Sequence, residues 1–212
     1  MSSKVLSKLF NHYGSDKDKN GYTPLYHTLF FRIKDEPVKL LEIGIGTMIP
    51  GVKSSMVGYA LENYKPGGSL RAWRDYFVNG EITGMDVQPD TQFQDEERIQ
   101  THLCDSTDIC SVYMKMSEII TKESKDTNLN ISGTSYYDII IDDGCHLDTS
   151  QLKTLQNFYP FLKKGGIYVI EDIYPGSSVS RNPSQIKSIV GDDPFYFVGL
   201  HNNQCVIYKN TD

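Results

Sequence analysis

Several features that would assign the chain to a particular class of protein are missing from its sequence. It has only four cysteines in 212 residues, and no two of them form a CxxC pair: Cys104, Cys110, Cys145 and Cys205. This spacing argues against a zinc cage, and scattered thiols suit a reducing compartment, so we expect a cytoplasmic protein. No apolar run approaches the roughly 18–20 residues of a membrane helix, and residues 1–10 lack the apolar core of a signal peptide.

Basic charge is also scarce. The formal net charge is −6, whereas nucleic-acid-binding proteins usually present a basic face, so we expect neither a nucleic-acid nor a membrane partner. Hydrophobic residues make up 39% of the chain and charged residues 23%, which is ordinary for a globular protein. We therefore expect one domain over residues 1–212, with a sizeable buried core.

Five apolar runs predict strands that are buried on both faces. They lie at residues 38–45, 81–87, 99–105, 137–142 and 166–172. Unbroken runs of this kind are typical of a parallel sheet, and apolar residues at helical spacing lie between them. The alternation predicts an α/β, doubly wound sheet with right-handed crossovers.

The C-terminus departs from this alternation. Residues 195–200 and 204–208 are apolar runs separated by a turn-like stretch at 201–203, which predicts an antiparallel hairpin. A mostly parallel, seven-stranded sheet that ends in such a hairpin resembles the class I methyltransferase fold, which is Rossmann-like. A dinucleotide-binding Rossmann sheet would continue in parallel.

Two segments lie outside the regular elements. Residues 1–36 have helical apolar spacing and are predicted to form an N-terminal cap. Their polar loop contains Asp16 and Lys17, which would either close over a cofactor or form a solvated turn. Residues 47–68 form a long insertion, predicted to be a lid loop over the cofactor or substrate, with an inert surface loop as the alternative.

The first predicted strand ends in LEIGIG, and glycines there would let a ligand approach the backbone. The third glycine of a dinucleotide fingerprint is replaced by Ile49, which counts against a nicotinamide-dependent oxidoreductase. Asp86 would accept ribose hydroxyls and Asp105 would face an adenine amino group, the alternatives being turn or capping roles. The predicted cofactor-binding residues are Glu42, Gly44, Gly46, Asp86, Asp105, Ser106 and Asp142.

The fourth and fifth predicted strands end in acidic residues. IDDGCH follows the fourth and IED closes the fifth, and such strand ends border the ligand crevice of a doubly wound sheet. Carboxylates crowded there repel one another unless a cation binds, and oxygen ligands favour Mg²⁺ or Mn²⁺. Side-chain alternation separates Asp142, predicted to be structural or near the cofactor, from Asp143. The predicted metal ligands are Asp143, Glu171 and Asp172, with solvated loop acids as the alternative.

His146 lies three residues after Asp143, close to one helical turn, so both side chains would line one pocket. A neutral imidazole can accept a proton near pH 7, so His146 is predicted to be the general base. The alternative is a hydrogen-bonded histidine at the start of a helix.

These motifs resemble the metal-dependent macrolide-sugar O-methyltransferases of the mycinamicin and demethylmacrocin type. The resemblance covers nearly the whole chain. It extends to the stretches YGSDK, GYTPLYHTLF, LLEIGIG and GGSLRAWRDYF, and to DGCH with the later Glu171-Asp172 pair. The chain departs from the family at Cys145, where serine is common, and has no counterpart of the large N-terminal domain.

The resemblance implies a class I fold, S-adenosylmethionine, Mg²⁺ and methylation of a sugar hydroxyl. It puts Asp143, Glu171 and Asp172 at metal-ligand positions and His146 at the general-base position. Tyr22, Tyr26 and Tyr174 are predicted to stack on sugar faces, the alternative being that they are core residues. The acceptor stays open between glycan, sugar nucleotide and glycosylated natural product, as does a homo-oligomeric state. The alternatives are a catechol-type or other small-molecule methyltransferase, an oxidoreductase and a non-catalytic scaffold.

Overall fold

The structure is a computed structural model that describes residues 4–52, 55–59, 61–124, 131, 134–181, 183–199 and 203–211. Its strands are β1 (Lys39–Ile43), β2 (Glu81–Asp86), β3 (Ile99–Leu103), β4 (Tyr137–Asp142), β5 (Leu162–Ile170), β6 (Phe195–Val198) and β7 (Gln204–Tyr208). Its α-helices are α1 (Lys4–His12), α2 (Thr23–Phe30), α3 (Gly68–Tyr76), α4 (Ile109–Ser124), α5 (Asp148–Phe158), α6 (Ser178–Arg181) and α7 (Pro183–Val190).

All seven strands join one sheet, in the order β3-β2-β1-β4-β5-β7-β6. The first five pair in parallel, and β7 runs antiparallel to both β5 and β6. The strand order reverses between β1 and β4, and ligands of doubly wound sheets bind at such a switch point. The predicted fold class, a mostly parallel sheet with a C-terminal antiparallel hairpin, is confirmed.

Some element boundaries differ from the prediction. The strand predicted to start at residue 166 starts at Leu162, and its pairing with β4 shifts register between Tyr137 and Ile139. Helix α3 begins at Gly68, and Gly67 takes its N-cap position with a left-handed φ of 84°. The hairpin turn predicted at residues 201–203 lies largely outside the described residues.

Each face of the sheet carries its own hydrophobic core. One core packs beneath α4, α5 and α7, and the other beneath α1, α2 and α3. Trp73 lies at the centre of the second core, with the rings of Phe10 and Tyr26 at 4.9 and 5.0 Å from its own. The N-terminal helices therefore share a core with the sheet, while the functions predicted for residues 1–36 and 47–68 stay predictions.

Among the described residues, no helix combines the length and apolar character that crossing a bilayer requires.

Candidate active site

A cavity of about 920 Å³ opens at the carboxyl ends of the parallel strands, beside the switch point between β1 and β4. Its volume is at the upper end of the roughly 300–1,000 Å³ typical of ligand pockets, so it has room for a nucleoside and a second small molecule. The sequence-predicted site residues that line it are Gly44, Gly46, Asp86, Asp105, Ser106, Asp143, His146, Asp172 and Tyr174.

The two glycines after β1 are required by contacts within the protein. Gly44 has a φ of +90°, and a Cβ atom there would lie 2.1 Å from the carbonyl oxygen of Asp143. Gly46 has a φ of +87°, and its Cβ would lie 2.1 Å from the hydroxyl of Tyr64. That hydroxyl lies 2.9 and 2.8 Å from the carbonyl oxygens of Ile45 and Gly46, so the insertion holds the glycine turn.

The close approach at Gly44 yields a stability prediction. Gly44→Ala places a side chain at positive φ, which lowers the free energy of unfolding by about 1–3 kcal/mol. The new side chain also overlaps the backbone of Asp143, just after β4, which costs about 1–3 kcal/mol more. Gly51→Ala is a matched control, because Gly51 has a φ of +79° but no atom of the described residues lies within 4 Å of its Cβ position. Urea denaturation should show the larger loss for Gly44→Ala. Equal losses of stability in the two variants would mean that the close approach at Gly44 has no effect on the free energy of unfolding.

The carboxylate of Asp86 is held by backbone hydrogen bonds at the cavity wall. Its Oδ2 accepts from the amide of Ile45 at 2.8 Å, and its Oδ1 accepts from the amide of Gln88 at 2.9 Å. Each oxygen keeps a second lone pair, so the carboxylate can still accept ribose hydroxyls. The predicted role of Asp86 therefore stays compatible with its position.

Asp105 and Ser106 line the same cavity beyond β3. Asp105 Oδ1 accepts hydrogen bonds from the amide and hydroxyl of Thr107, at 2.9 and 2.7 Å. Asp105 thus does serve as a turn aspartate, and a contact of its other oxygen with adenine stays a prediction. The Ser106 hydroxyl lies 2.9 Å from that of Thr154 on α5.

Two predicted cofactor residues, Glu42 and Asp142, are buried and are not among the residues that line the cavity, so their contact with the cofactor stays a prediction. Glu42 Oε2 accepts a 2.6 Å hydrogen bond from the indole of Trp73, so its carboxylate serves the second core. Asp142 Oδ1 accepts from the amide of Gly144 at 3.2 Å. Burial raises the pKa of Asp142 to about 8, which supports the structural alternative for this residue.

Asp143, His146 and Asp172 converge at the cavity edge. One ligand atom from each lies within 4.8 Å of the others, and His146 Nε2 is 3.7 Å from Asp172 Oδ2. Asp172 has a φ of +51°, a left-handed conformation that aspartate tolerates better than most residues. Backbone outliers of this kind concentrate at functional sites, so the turn after β5 is consistent with a binding role.

Lys17 is an unexpected member of the site. Its side chain is buried, 1% exposed, and its Nζ lies 2.7 Å from both Asp143 Oδ2 and Glu171 Oε2 and 3.3 Å from Glu42 Oε1. Burial disfavours the ammonium, but the surrounding carboxylates outweigh it and raise the pKa of Lys17 above its usual value. The solvated-turn alternative for Lys17 is therefore wrong, whereas Asp16 does line the cavity.

Two tyrosines of the N-terminal segment also contact the strand-end carboxylates. The hydroxyl of Tyr22 donates to Asp172 Oδ1, and that of Tyr26 donates to Glu171 Oε1. Their residues are only 4% and 0% exposed, and stacking on a sugar needs an open ring face. The structure therefore corrects the substrate-contact prediction for both. Tyr174 is 61% exposed and lines the cavity, so the prediction stands for it alone.

The predicted metal ligands are thus divided between two environments. Asp143 and Asp172 line the cavity, whereas both oxygens of Glu171 are engaged by Lys17 and Tyr26. Burial raises the pKa of Asp143 to about 6, although the Lys17 ammonium opposes this shift. Burial and the neighbouring Asp143 also raise the pKa of Glu171, again against Lys17.

The charges in this cluster fit a divalent cation. Among the described residues, the Lys17 ammonium pairs with three carboxylates, those of Glu42, Asp143 and Glu171, and a fourth, that of Asp172, lies near Asp143. A further cation at the cavity edge would relieve the remaining repulsion, and carboxylate oxygens are ligands that Mg²⁺ and Mn²⁺ prefer. The residues present therefore suit the metal that the sequence motifs imply.

Comparison with known proteins finds relatives among sugar O-methyltransferases, although no protein-family model matches. One is the 8-demethyl-8-(2-methoxy-alpha-L-rhamnosyl)-tetracenomycin-C 3'-O-methyltransferase of Streptomyces olivaceus, 34% identical over 201 residues, covering 88% of this chain and 44% of the relative. Another is the mycinamicin VI 2''-O-methyltransferase of Micromonospora griseorubida, which is 30% identical over 186 residues. This match covers 85% of this chain and 40% of the relative. The chain spans less than half the length of these curated relatives.

Among solved structures, the methyltransferase MycE of the mycinamycin biosynthetic pathway, in complex with Mg, SAH and mycinamycin VI, matches with a TM-score of 0.66. It is 26% identical, and the match covers 98% of this chain and 55% of that one. Sheet order, terminal hairpin and this match define the fold as that of a class I methyltransferase. Within that class, the resemblance to the macrolide-sugar O-methyltransferases is confirmed.

Proposed function

We propose that the chain is an S-adenosylmethionine-dependent, Mg²⁺-dependent O-methyltransferase that acts on a sugar hydroxyl. The observation that carries the proposal is the convergence of Asp143, His146 and Asp172 at the edge of the cavity beside the glycine turn. The matched relatives, which are named for methylating sugar hydroxyls of antibiotics, support the reaction class. A glycosylated natural product is therefore the first acceptor to test, ahead of a glycan or a sugar nucleotide.

The cofactor would lie at the β1 and β2 ends of the cavity. Gly44 and Gly46 provide the turn there, Asp86 would accept the ribose hydroxyls, and Asp105 with Ser106 would border the adenine. S-adenosylmethionine, when bound, supplies an electrophilic methyl group. The protein contributes by aligning the acceptor hydroxyl with that group, because alignment of two reactants removes much of the entropic barrier.

The metal would lie beside the cofactor, held by Asp143 and Asp172, since the backbone of Asp143 packs against the glycine turn at Gly44. Both carboxylates line the cavity, and Glu171, the third predicted ligand, is linked to Asp143 through the shared Lys17 ammonium. A bound Mg²⁺ supplies Lewis-acid chemistry that lowers the pKa of a nearby hydroxyl. The two carboxylates and the metal together would orient the sugar, and the exposed ring of Tyr174 would contact one of its faces.

His146 is the proposed general base. Its imidazole lines the cavity, and its Nε2 would take the proton of the acceptor hydroxyl. Asp172 Oδ2, 3.7 Å away, would then stabilise the imidazolium. A proton held there leaves the acceptor oxygen free to attack.

We expect the purified chain to form S-adenosylhomocysteine from S-adenosylmethionine when it is given rhamnosylated or macrolide-linked acceptors. EDTA should abolish this turnover, and excess Mg²⁺ should restore it, because the proposed site holds its ion through carboxylates that open to solvent. The measurement is chromatographic detection of S-adenosylhomocysteine across an acceptor panel that includes catechols.

A binding control separates the cofactor from the acceptor. S-adenosylhomocysteine should raise the melting temperature of the chain and NAD should not, since a ligand that binds only the native state stabilises it. A shift with NAD alone would favour the oxidoreductase alternative. Turnover that is indifferent to EDTA would remove the metal from the proposal.

We infer a cytoplasmic, biosynthetic setting from the thiols, because all four cysteines are free: Cys104, Cys110, Cys145 and Cys205. Homo-oligomerisation and the lack of nucleic-acid and membrane partners stay predictions.

A further inference from the structure

The two carboxylates at the cavity edge each have one oxygen engaged by the N-terminal segment. Lys17 Nζ is 2.7 Å from Asp143 Oδ2, and the Tyr22 hydroxyl donates to Asp172 Oδ1. The other oxygen of each carboxylate is left for the cavity, and Asp172 Oδ2 is the one that faces His146. Each acid therefore keeps one oxygen that neither Lys17 nor Tyr22 contacts.

The loop that carries Lys17 is fixed in position. Asp18, the next residue, accepts hydrogen bonds from Ser7 at 2.8 Å and Asn11 at 2.7 Å on α1, and from Thr23 at 2.7 Å on α2. These contacts tie the loop to both N-terminal helices. The Lys17 ammonium itself is held by its ion pairs with Asp143, Glu171 and Glu42.

We propose that Lys17 and Tyr22 are specificity-determining residues that select a small divalent ion by restricting Asp143 and Asp172 to one free oxygen each. This inference rests on the proposed metal-dependent function and deepens it. An oxygen that already faces an ammonium is unfavourable for a second cation, because like charges repel. An oxygen that accepts the Tyr22 hydroxyl keeps a second lone pair, but the hydrogen bond fixes the orientation of the carboxylate and so opposes the rotation that two-oxygen binding of an ion requires.

Mg²⁺ and Ca²⁺ differ in what they require from a carboxylate. Mg²⁺ takes about six oxygens, keeps several as water, and is usually held by one or two carboxylates. Ca²⁺ takes about six to eight oxygens and often uses both oxygens of one carboxylate. Two acids restricted to single oxygens favour Mg²⁺ and disfavour Ca²⁺.

The deciding measurement is the ratio of Ca²⁺ to Mg²⁺ affinity, determined by titration calorimetry on the full chain without cofactor or acceptor. Tyr22→Phe removes only the hydroxyl and should raise this ratio by about 10-fold or more, the size of effect that outer-shell partners have on metal sites. A ratio cancels general loosening of the protein, which weakens both ions alike.

Tyr76→Phe is the matched control, because Tyr76 is a buried tyrosine on α3 whose hydroxyl has no hydrogen-bond partner among the described residues. Its ratio should stay within about 2-fold of wild type. Lys17→Met should change the ratio more than Tyr22→Phe does. Lys17→Met also leaves Glu42 and Glu171 without the ammonium that pairs with them. If this variant does not fold, the affinity ratio of Tyr22→Phe alone tests the proposal.

The outcomes separate this inference from the proposed function. If wild type binds Mg²⁺ and the Tyr22→Phe ratio is unchanged, or both ions weaken equally, the selectivity inference is overturned and the proposed function stands. If wild type binds neither ion, the metal-dependent function fails and takes the selectivity inference with it.

Discussion

Replacing His146 with alanine is expected to lower kcat by about 10²–10⁴-fold, the contribution that a positioned general base makes. The imidazole lines the cavity and is 3.7 Å from the carboxylate of Asp172, which places it to take the proton of the acceptor hydroxyl. Binding of S-adenosylhomocysteine should be unchanged, because the contacts that hold the glycine turn and Asp86 do not involve the imidazole. Steady-state kinetics and calorimetry measure the two quantities.

His12→Ala is the matched control, since His12 is an exposed histidine at the end of α1, away from the cavity, and its loss should leave kcat within about 2-fold. The Mg²⁺ affinity of His146→Ala must be measured as well, because His146 is close enough to Asp143 and Asp172 to be a ligand itself. A large loss of Mg²⁺ affinity would make His146 a ligand. Full activity would remove it from catalysis.

Local sequence patterns were sufficient for the sheet. The run at 137–142 matches β4 residue for residue. Short apolar runs rich in β-branched residues are typical of strands in the middle of a parallel sheet, which are buried on both faces. The hairpin of β6 and β7 followed from two short apolar runs and a polar gap. Alternation also separated Asp142, which is buried, from Asp143, which reaches the cavity.

The same alternation of side chains along the strand argues against the cofactor role predicted for Glu42. Leu41 and Ile43 belong to the core under α4 and α5, so the residue between them must face the opposite core, where Trp73 lies. Its position inside a glycine motif suggested a cofactor role, and the strand periodicity was the better guide. Buried glutamate at this point was thus predictable, although its tryptophan partner was not.

The role of Lys17 could not be predicted from local pattern. Its partners Asp143 and Glu171 lie 126 and 154 residues further along the chain, and nothing near Lys17 distinguishes it from a solvated lysine. The tyrosines were detected, but aromatic type alone does not tell a ring used for stacking from a hydroxyl used as a donor. Such contacts depend on how the N-terminal helices pack on α3, which is tertiary information.

Asp143→Asn is expected to weaken Mg²⁺ binding by about 10²-fold, whereas Asp142→Asn at the adjacent position should leave it within about 2-fold at pH 7. Loss of one partner from a buried charge cluster costs about 3 kcal/mol, which corresponds to that factor. Asp143 lines the cavity and contacts the Lys17 ammonium, so its charge serves both the ion and the lysine. Calorimetric titration of Mg²⁺ into each variant measures the difference.

Asp142 provides the control because its environment already keeps it largely neutral. Burial raises its pKa to about 8, so about nine-tenths of the carboxyl is protonated at pH 7 and asparagine is close in both shape and charge. The asparagine oxygen can still accept the 3.2 Å hydrogen bond from the amide of Gly144. Equal loss of Mg²⁺ affinity in both variants would show that the site does not distinguish the two acids.

The pH dependence of unfolding tests the same distinction without any metal. The folded pKa of Asp142 lies above its unfolded value, so the folded state binds the extra proton, and wild type loses stability as the pH rises from about 4 to about 8. Asparagine cannot ionise, so Asp142→Asn should gain stability relative to wild type across that window and hold the gain at higher pH. Urea denaturation at pH 5 and pH 9 measures the free energy of unfolding of the variant and of wild type. A variant less stable than wild type at pH 9 would contradict the burial of a protonated Asp142. The outcome matters for function, because a neutral Asp142 adds no negative charge next to Asp143.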